Sequence, residues 1–184
     1  LGDGLLGSAN DGGTTDVALK FPARRSARVI DGVAVEGWFT EDFTLAELKT
    51  LRARERLAAR SHAFDGQFEI PTLEEILRLV IRLEPQAGRR IGLYPETKRP
   101  SYFRGIGLPL EEPLLALLHG HGHASPRDPV FLQSFETGNL RDLRQRTGLR
   151  LIQLLDEQGA PWNLAAAGDS RTFADLAGPK GLGE

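Results

Sequence analysis

The sequence predicts an α/β fold built on a parallel sheet, and three observations carry that expectation. Capping-box spacings at Thr44/Glu47 and Thr72/Glu75 each open an amphipathic stretch. Three short, mostly apolar runs, 90–98 (RIGLYPETK), 129–135 (PVFLQSF) and 149–155 (LRLIQLL), have the length of buried strands. Helices and runs alternate in units of roughly 30 to 40 residues, the mark of right-handed βαβ connections.

Taken in order, residues 1 to about 40 are Gly-rich, hold no period, and read as loop or irregular structure. Leu45, Leu48 and Leu51 lie on one side of a helix expected to reach about Arg56. Leu73, Ile76, Leu77, Val80 and Ile81 define the clearest helix, with a break expected from Pro85 to Gly88. A helix over 110–118 follows the first strand, and one over 139–146, closed by Gly148, follows the second. The tail from Asp156 reads as frayed apart from a short helix near 172–177. A doubly wound sheet and a TIM barrel both satisfy this pattern.

Composition narrows the partners. The chain has 184 residues, 40% hydrophobic and 26% charged, with a net charge of −2; that balance belongs to a globular domain and offers no basic field for nucleic acid. No cysteine is present, which excludes disulfides, thiolate nucleophiles and Cys-based zinc sites. No apolar stretch reaches the roughly 18 to 20 residues needed to span a bilayer.

Candidate chemistry gathers at strand ends. Glu96 and Lys98 are two apart, so a strand period points both to one face at the polar end of the first run, where parallel α/β folds bind ligands. A carboxylate there can ligate a hard cation and an ammonium can hold a phosphate; the same pair also reads as a salt-bridged strand end. Gln133 and Gln153 occupy matching places in the next two runs, as substrate contacts or as polar residues satisfied between layers. His119, His121 and His123 alternate like metal ligands, yet they fall at the opposite end of a parallel strand and read as a solvated loop. His62 lies in a polar loop, and the carboxylate pairs Asp65/Glu69 and Glu111/Glu112 are of a kind that loops and helix starts carry. There is no GxSxG elbow, phosphate loop or HExxH helix.

The strings GGTTDVA, DFTLAELKTLRARERL, FEIPTLEEIL, IGLYPETKRP, PVFLQSFE and TGLRLIQLL occur in the order and approximate spacing of the glycerophosphodiester phosphodiesterase family, and resemble its bacterial GlpQ-like branch most closely. The resemblance covers most of residues 12 to 156. It implies a TIM (β/α)8 barrel, incomplete in this chain, with residues of about 14–68 as the family's insertion over the barrel mouth. It implies hydrolysis of glycerophosphodiesters such as glycerophosphocholine to an alcohol and glycerol 3-phosphate, with a divalent cation, calcium or magnesium. By position Glu96 would be a metal ligand, and Lys98 and Gln133 would contact substrate.

The family's HRG segment, E-x-D pair and second histidine should precede GGTTDVA and have no counterpart here, so the catalytic acid and base are unassigned. The closing strands are likewise missing. A non-catalytic remnant or binding module is the alternative. An open barrel would also expose apolar strand edges and self-associate. Localisation is open, and periplasmic or secreted if the GlpQ-like branch applies.

Overall fold

The computed structural model describes residues 5–8 and 14–178. They divide into two compact units, Leu1–Ile76 and Leu77–Glu184.

The first unit corrects the expectation of irregular structure before residue 40. Strands β1 (Leu5–Ser8), β2 (Ser26–Ile30) and β3 (Val33–Phe39) form an antiparallel sheet in the order β1-β3-β2. Asp31 and Gly32 join β2 to β3 with φ of 52° and 75°. Two consecutive left-handed residues match the twist of a tight hairpin, and Asp-Gly is among the dipeptides preferred there. That signal was present but hidden among scattered glycines.

Val17 from helix α1 (Val17–Lys20), Trp38 and Leu51 make the buried centre of this unit, with Phe21, Phe43, Leu48 and Ile70 packed around them. The Trp38 indole N–H donates to the Phe21 carbonyl at 2.7 Å, so the large side chain is buried without leaving its donor unmet.

Helix α2 (Leu45–Thr50) begins with the expected capping box, in which Thr44 and Glu47 satisfy each other's backbone N–H groups. It stops at Leu51 rather than near Arg56. The reason is long-range pairing: the Arg52 N–H donates to the Asp16 carboxylate at 2.8 Å and the Ala53 N–H to the Phe68 carbonyl at 2.8 Å. Helix α3 (Leu73–Ala87) starts from the Thr72/Glu75 box and runs through Pro85. It ends at Ala87, and Gly88 after it takes a φ of 63°, the left-handed conformation in which glycine commonly follows a helix.

In the second unit the three apolar runs lie parallel. Strands β4 (Phe131–Ser134) and β5 (Arg150–Gln153) pair in register from Phe131↔Arg150 to Ser134↔Gln153. The expected strand over 90–98 is instead two isolated parallel bridges, Leu93↔Val130 and Glu96↔Gln133. Four ladder bonds are in place: Leu93 N–H to Pro129 O, Phe131 N–H to Leu93 O, Gln133 N–H to Pro95 O and Thr97 N–H to Gln133 O. In a parallel ladder the missing fifth bond belongs to residue 95, and Pro95 has no N–H to give.

Helices α4 (Pro100–Gly105), α5 (Glu111–Gly120) and α6 (Thr137–Arg146) connect and flank these segments. Phe103, Leu115, Leu118, Val130, Leu132, Leu143 and Leu149 are buried as their core. Gly148 does not close α6 by a left-handed turn. A Cβ there would lie 3.0 Å from the Ala124 carbonyl, so glycine permits a close backbone approach. The tail is more ordered than expected: α7 (Trp162–Ala166) and α8 (Phe173–Ala177) bury Leu164, Phe173 and Leu176, and α8 carries its own Thr172/Asp175 capping box. No closed barrel forms among the described residues, and no described helix is long and apolar enough to cross a membrane.

Candidate active site

Parallel pairing brings Glu96 to the end of its segment beside Gln133 of β4. Alternation then places Glu96 and Lys98 together, with the Lys98 ammonium 3.8 Å from a Glu96 carboxylate oxygen. Their side chains are 18% and 38% exposed, enough for water to screen the pair to roughly 1 kcal/mol or less.

Thr97, between them, points the other way and is buried. The turn that follows is unusual: Arg99 is left-handed, with φ 50° and ψ 48°, and Pro100 opens α4 directly after it. A non-glycine residue in that region marks strain that the surrounding packing must hold.

Gln133 lies beside Glu96, but its amide N–H donates to the Tyr94 carbonyl at 3.2 Å, within the ladder. Gln153 uses its amide similarly, on the Phe135 carbonyl at 2.9 Å and the Leu154 carbonyl at 2.8 Å. Gln153 thus braces the chain leaving β4. The three histidines do not converge. His119 is exposed and lies 3.2 Å from the Thr147 hydroxyl, whereas His123 is buried with Nδ1 unpartnered; a wholly solvated loop was the expectation, and packing overturns it for His123. His62 is exposed and pairs with Asp65 at 2.9 Å.

A feature that sequence reasoning passed over is a cleft of about 220 Å³ whose lining includes Ser101, Arg104, Glu111, Glu136, Asn139 and Asp142. Glu111, set aside as an ordinary helix-start carboxylate, has no exposed surface at all. Its Oε1 accepts from Arg104 at 2.7 Å and from the Asn139 amide at 2.6 Å, while Oε2 is buried without a partner. Arg104 also pairs with Asp142 at 2.7 Å. Its bonds to Glu111 and Asp142 raise the guanidinium pKa above its ordinary value. Glu136 is buried at the start of α6 and accepts from the Ser101 hydroxyl and, at 3.3 Å, the Ser101 N–H.

Among the described residues no group of three or more His, Asp or Glu could hold a metal ion. Glu96 alone is one ligand of the six or more that a cation such as calcium takes, so the described residues do not by themselves form a cation site.

The second unit is thus a parallel α/β arrangement with a carboxylate and an ammonium side by side at the C-terminal end of one segment. The chain belongs to the glycerophosphoryl diester phosphodiesterase family, which it matches over residues 12–182. It is 31% identical over 177 residues to a glycerophosphodiester phosphodiesterase of Arabidopsis thaliana, covering 89% of this chain and 45% of that protein. It is 29% identical over 160 residues to a glycerophosphodiester phosphodiesterase of Haemophilus influenzae, covering 78% and 42% respectively. A glycerophosphodiester phosphodiesterase of Treponema pallidum is 33% identical over 142 residues, covering 71% and 38%. The chain therefore spans less than half the length of these relatives. The family implies a TIM-barrel-like fold and, in general, a divalent cation; neither the GlpQ-like branch nor the identity of the cation follows from these matches.

Proposed function

We propose that the protein takes part in hydrolysis of glycerophosphodiesters to an alcohol and glycerol 3-phosphate, with Glu96 and Lys98 in the substrate site. The single observation that carries this reading is their placement: both lie at the C-terminal end of a parallel segment, 3.8 Å apart and partly exposed, in a chain of this family. Hydrolysis adds water across a P–O ester bond, and the anionic diester needs its charge offset as negative charge builds on the departing oxygen.

The Lys98 ammonium supplies a positive charge to the phosphate oxygens. Glu96 would contribute one oxygen ligand to a divalent cation, calcium or magnesium, whose chemistry when bound is to polarise the phosphoryl oxygen. Gln133, anchored to Tyr94, would bound the substrate beside Glu96. Proton transfer is not assigned to any residue of this chain. Residues of about 14–68 are read as the family's insertion; they lie within the first compact unit, Leu1–Ile76.

The test is Glu96→Gln in the full-length protein, with hydrolysis of glycerophosphocholine and calorimetric titration of Ca²⁺ and Mg²⁺ measured together. Both should be lost. Activity retained at an ordinary cation concentration would refute the assignment.

A further inference from the structure

We propose that Thr97, Asn139 and Glu111 are positioning residues that set Glu96 and Lys98 from behind; this rests on the reading of that pair as the substrate site. Thr97 is the residue between the two, and every polar group it has is held. Its N–H donates to the Gln133 carbonyl at 3.0 Å, its carbonyl accepts from the Ser134 hydroxyl at 3.4 Å, and its own hydroxyl donates to the Asn139 side-chain oxygen at 2.6 Å.

The chain of bonds continues inward. The Asn139 amide donates to Glu111 Oε1 at 2.6 Å, and Arg104 donates to the same oxygen at 2.7 Å. Thr97 and Asn139 are each 4% exposed and Glu111 is 0% exposed. Side chains of α4 and α6 thereby meet at the Glu111 carboxylate of α5, and Asn139 of α6 alone carries the chain of bonds on to the threonine hydroxyl. Past the left-handed Arg99, Ser101 is held in turn by buried Glu136. The turn bearing Lys98 is thus clamped on both sides, at Thr97 and at Ser101, and its charged side chains inherit that fixed backbone.

Burial of a carboxylate with one oxygen unpartnered is a poor way to stabilise a core, since apolar side chains of the same shape do as well or better. A network of this kind instead restricts geometry: it permits one arrangement of the strand end, and ligand-bearing groups lose their effect when displaced by about 1 Å.

The experiment compares Thr97→Val, Thr97→Ser and Glu96→Gln in the full-length protein, reading thermal midpoint, kcat and KM on glycerophosphocholine, and Ca²⁺ affinity. Thr97→Val keeps the shape and removes the hydroxyl. It should melt within about 5 °C of the parent while kcat or Ca²⁺ affinity falls roughly 10- to 100-fold, and Thr97→Ser should restore both. A folded Thr97→Val with parental kcat and Ca²⁺ affinity, alongside an inactive Glu96→Gln, overturns the positioning role and leaves the site assignment standing. An active Glu96→Gln overturns the site assignment and this inference with it. Should Thr97→Val not fold, Asn139→Ala removes the acceptor without touching the strand, and the same two outcomes decide.

Discussion

Arg24 donates to the Glu47 carboxylate at 2.5 Å, joining the turn at Pro22–Arg24 to the first turn of α2. Glu47 also accepts from the Thr44 N–H at 2.8 Å and the Thr44 hydroxyl at 3.0 Å, so one half-buried carboxylate closes a helix cap and an ion pair together.

Those bonds, the Arg24 bond first, hold the Glu47 pKa at about 2, below its ordinary 4.5. A depressed carboxylate stabilises the fold fully above its unfolded value and loses that contribution as pH falls through its folded value. Stability should therefore drop between about pH 5 and pH 2, and Glu47→Gln should flatten that drop. Urea midpoints at about pH 5 and pH 3 test it; equal slopes in both proteins would exclude the role.

Thr44→Ala should cost about 1 kcal/mol, because it unmakes the acceptor for the Glu47 N–H at the start of α2. Thr44→Ser should be close to neutral. Chemical denaturation of the two variants distinguishes loss of the cap from loss of the methyl group.

Two glycines should respond in opposite directions. Gly148→Ala pushes a methyl group to 3.0 Å from the Ala124 carbonyl and should destabilise by about 1–3 kcal/mol. Gly120→Ala, in the last turn of α5 with nothing within 4 Å, should stabilise by up to about 1 kcal/mol. Matching effects at the two positions would show that backbone approach is not what Gly148 serves.

Leu132 lies at the centre of β4 and is 1% exposed. Leu132→Ala should cost about 2–5 kcal/mol, depending on how far the surrounding side chains collapse into the space. A cost below about 1 kcal/mol would mean the parallel core is far looser than its burial indicates.

Among the described strands β5 pairs only with β4, which leaves its other edge as a template for association. The 184-residue chain should self-associate in light scattering at concentrations of about 100 µM. A monomer there would count against an open barrel segment.

Much of this protein is local, and so legible in the amino-acid order. The capping boxes at Thr44 and Thr72, the helical faces, the parallel runs and the same-side placement of Glu96 and Lys98 follow from periods of 3.6 and 2 and from side chains meeting their own backbone. The hairpin at Asp31–Gly32 was legible too, though masked by the surrounding glycines. What only the tertiary structure decided depends on partners far apart in sequence. The run over 90–98 reads as one continuous strand until the ladder shows that Pro95 withholds a bond, and Gly148 reads as a helix stop until Ala124 is beside it. Glu111, a plain helix-start carboxylate in the sequence, is buried because Asn139, 28 residues later, meets it, and Asn139 in turn reaches Thr97 across 42 residues. Periodicity assigns a side chain to a face; whether a polar group on that face ends in water or in a closed network depends on which distant group supplies its hydrogen bond.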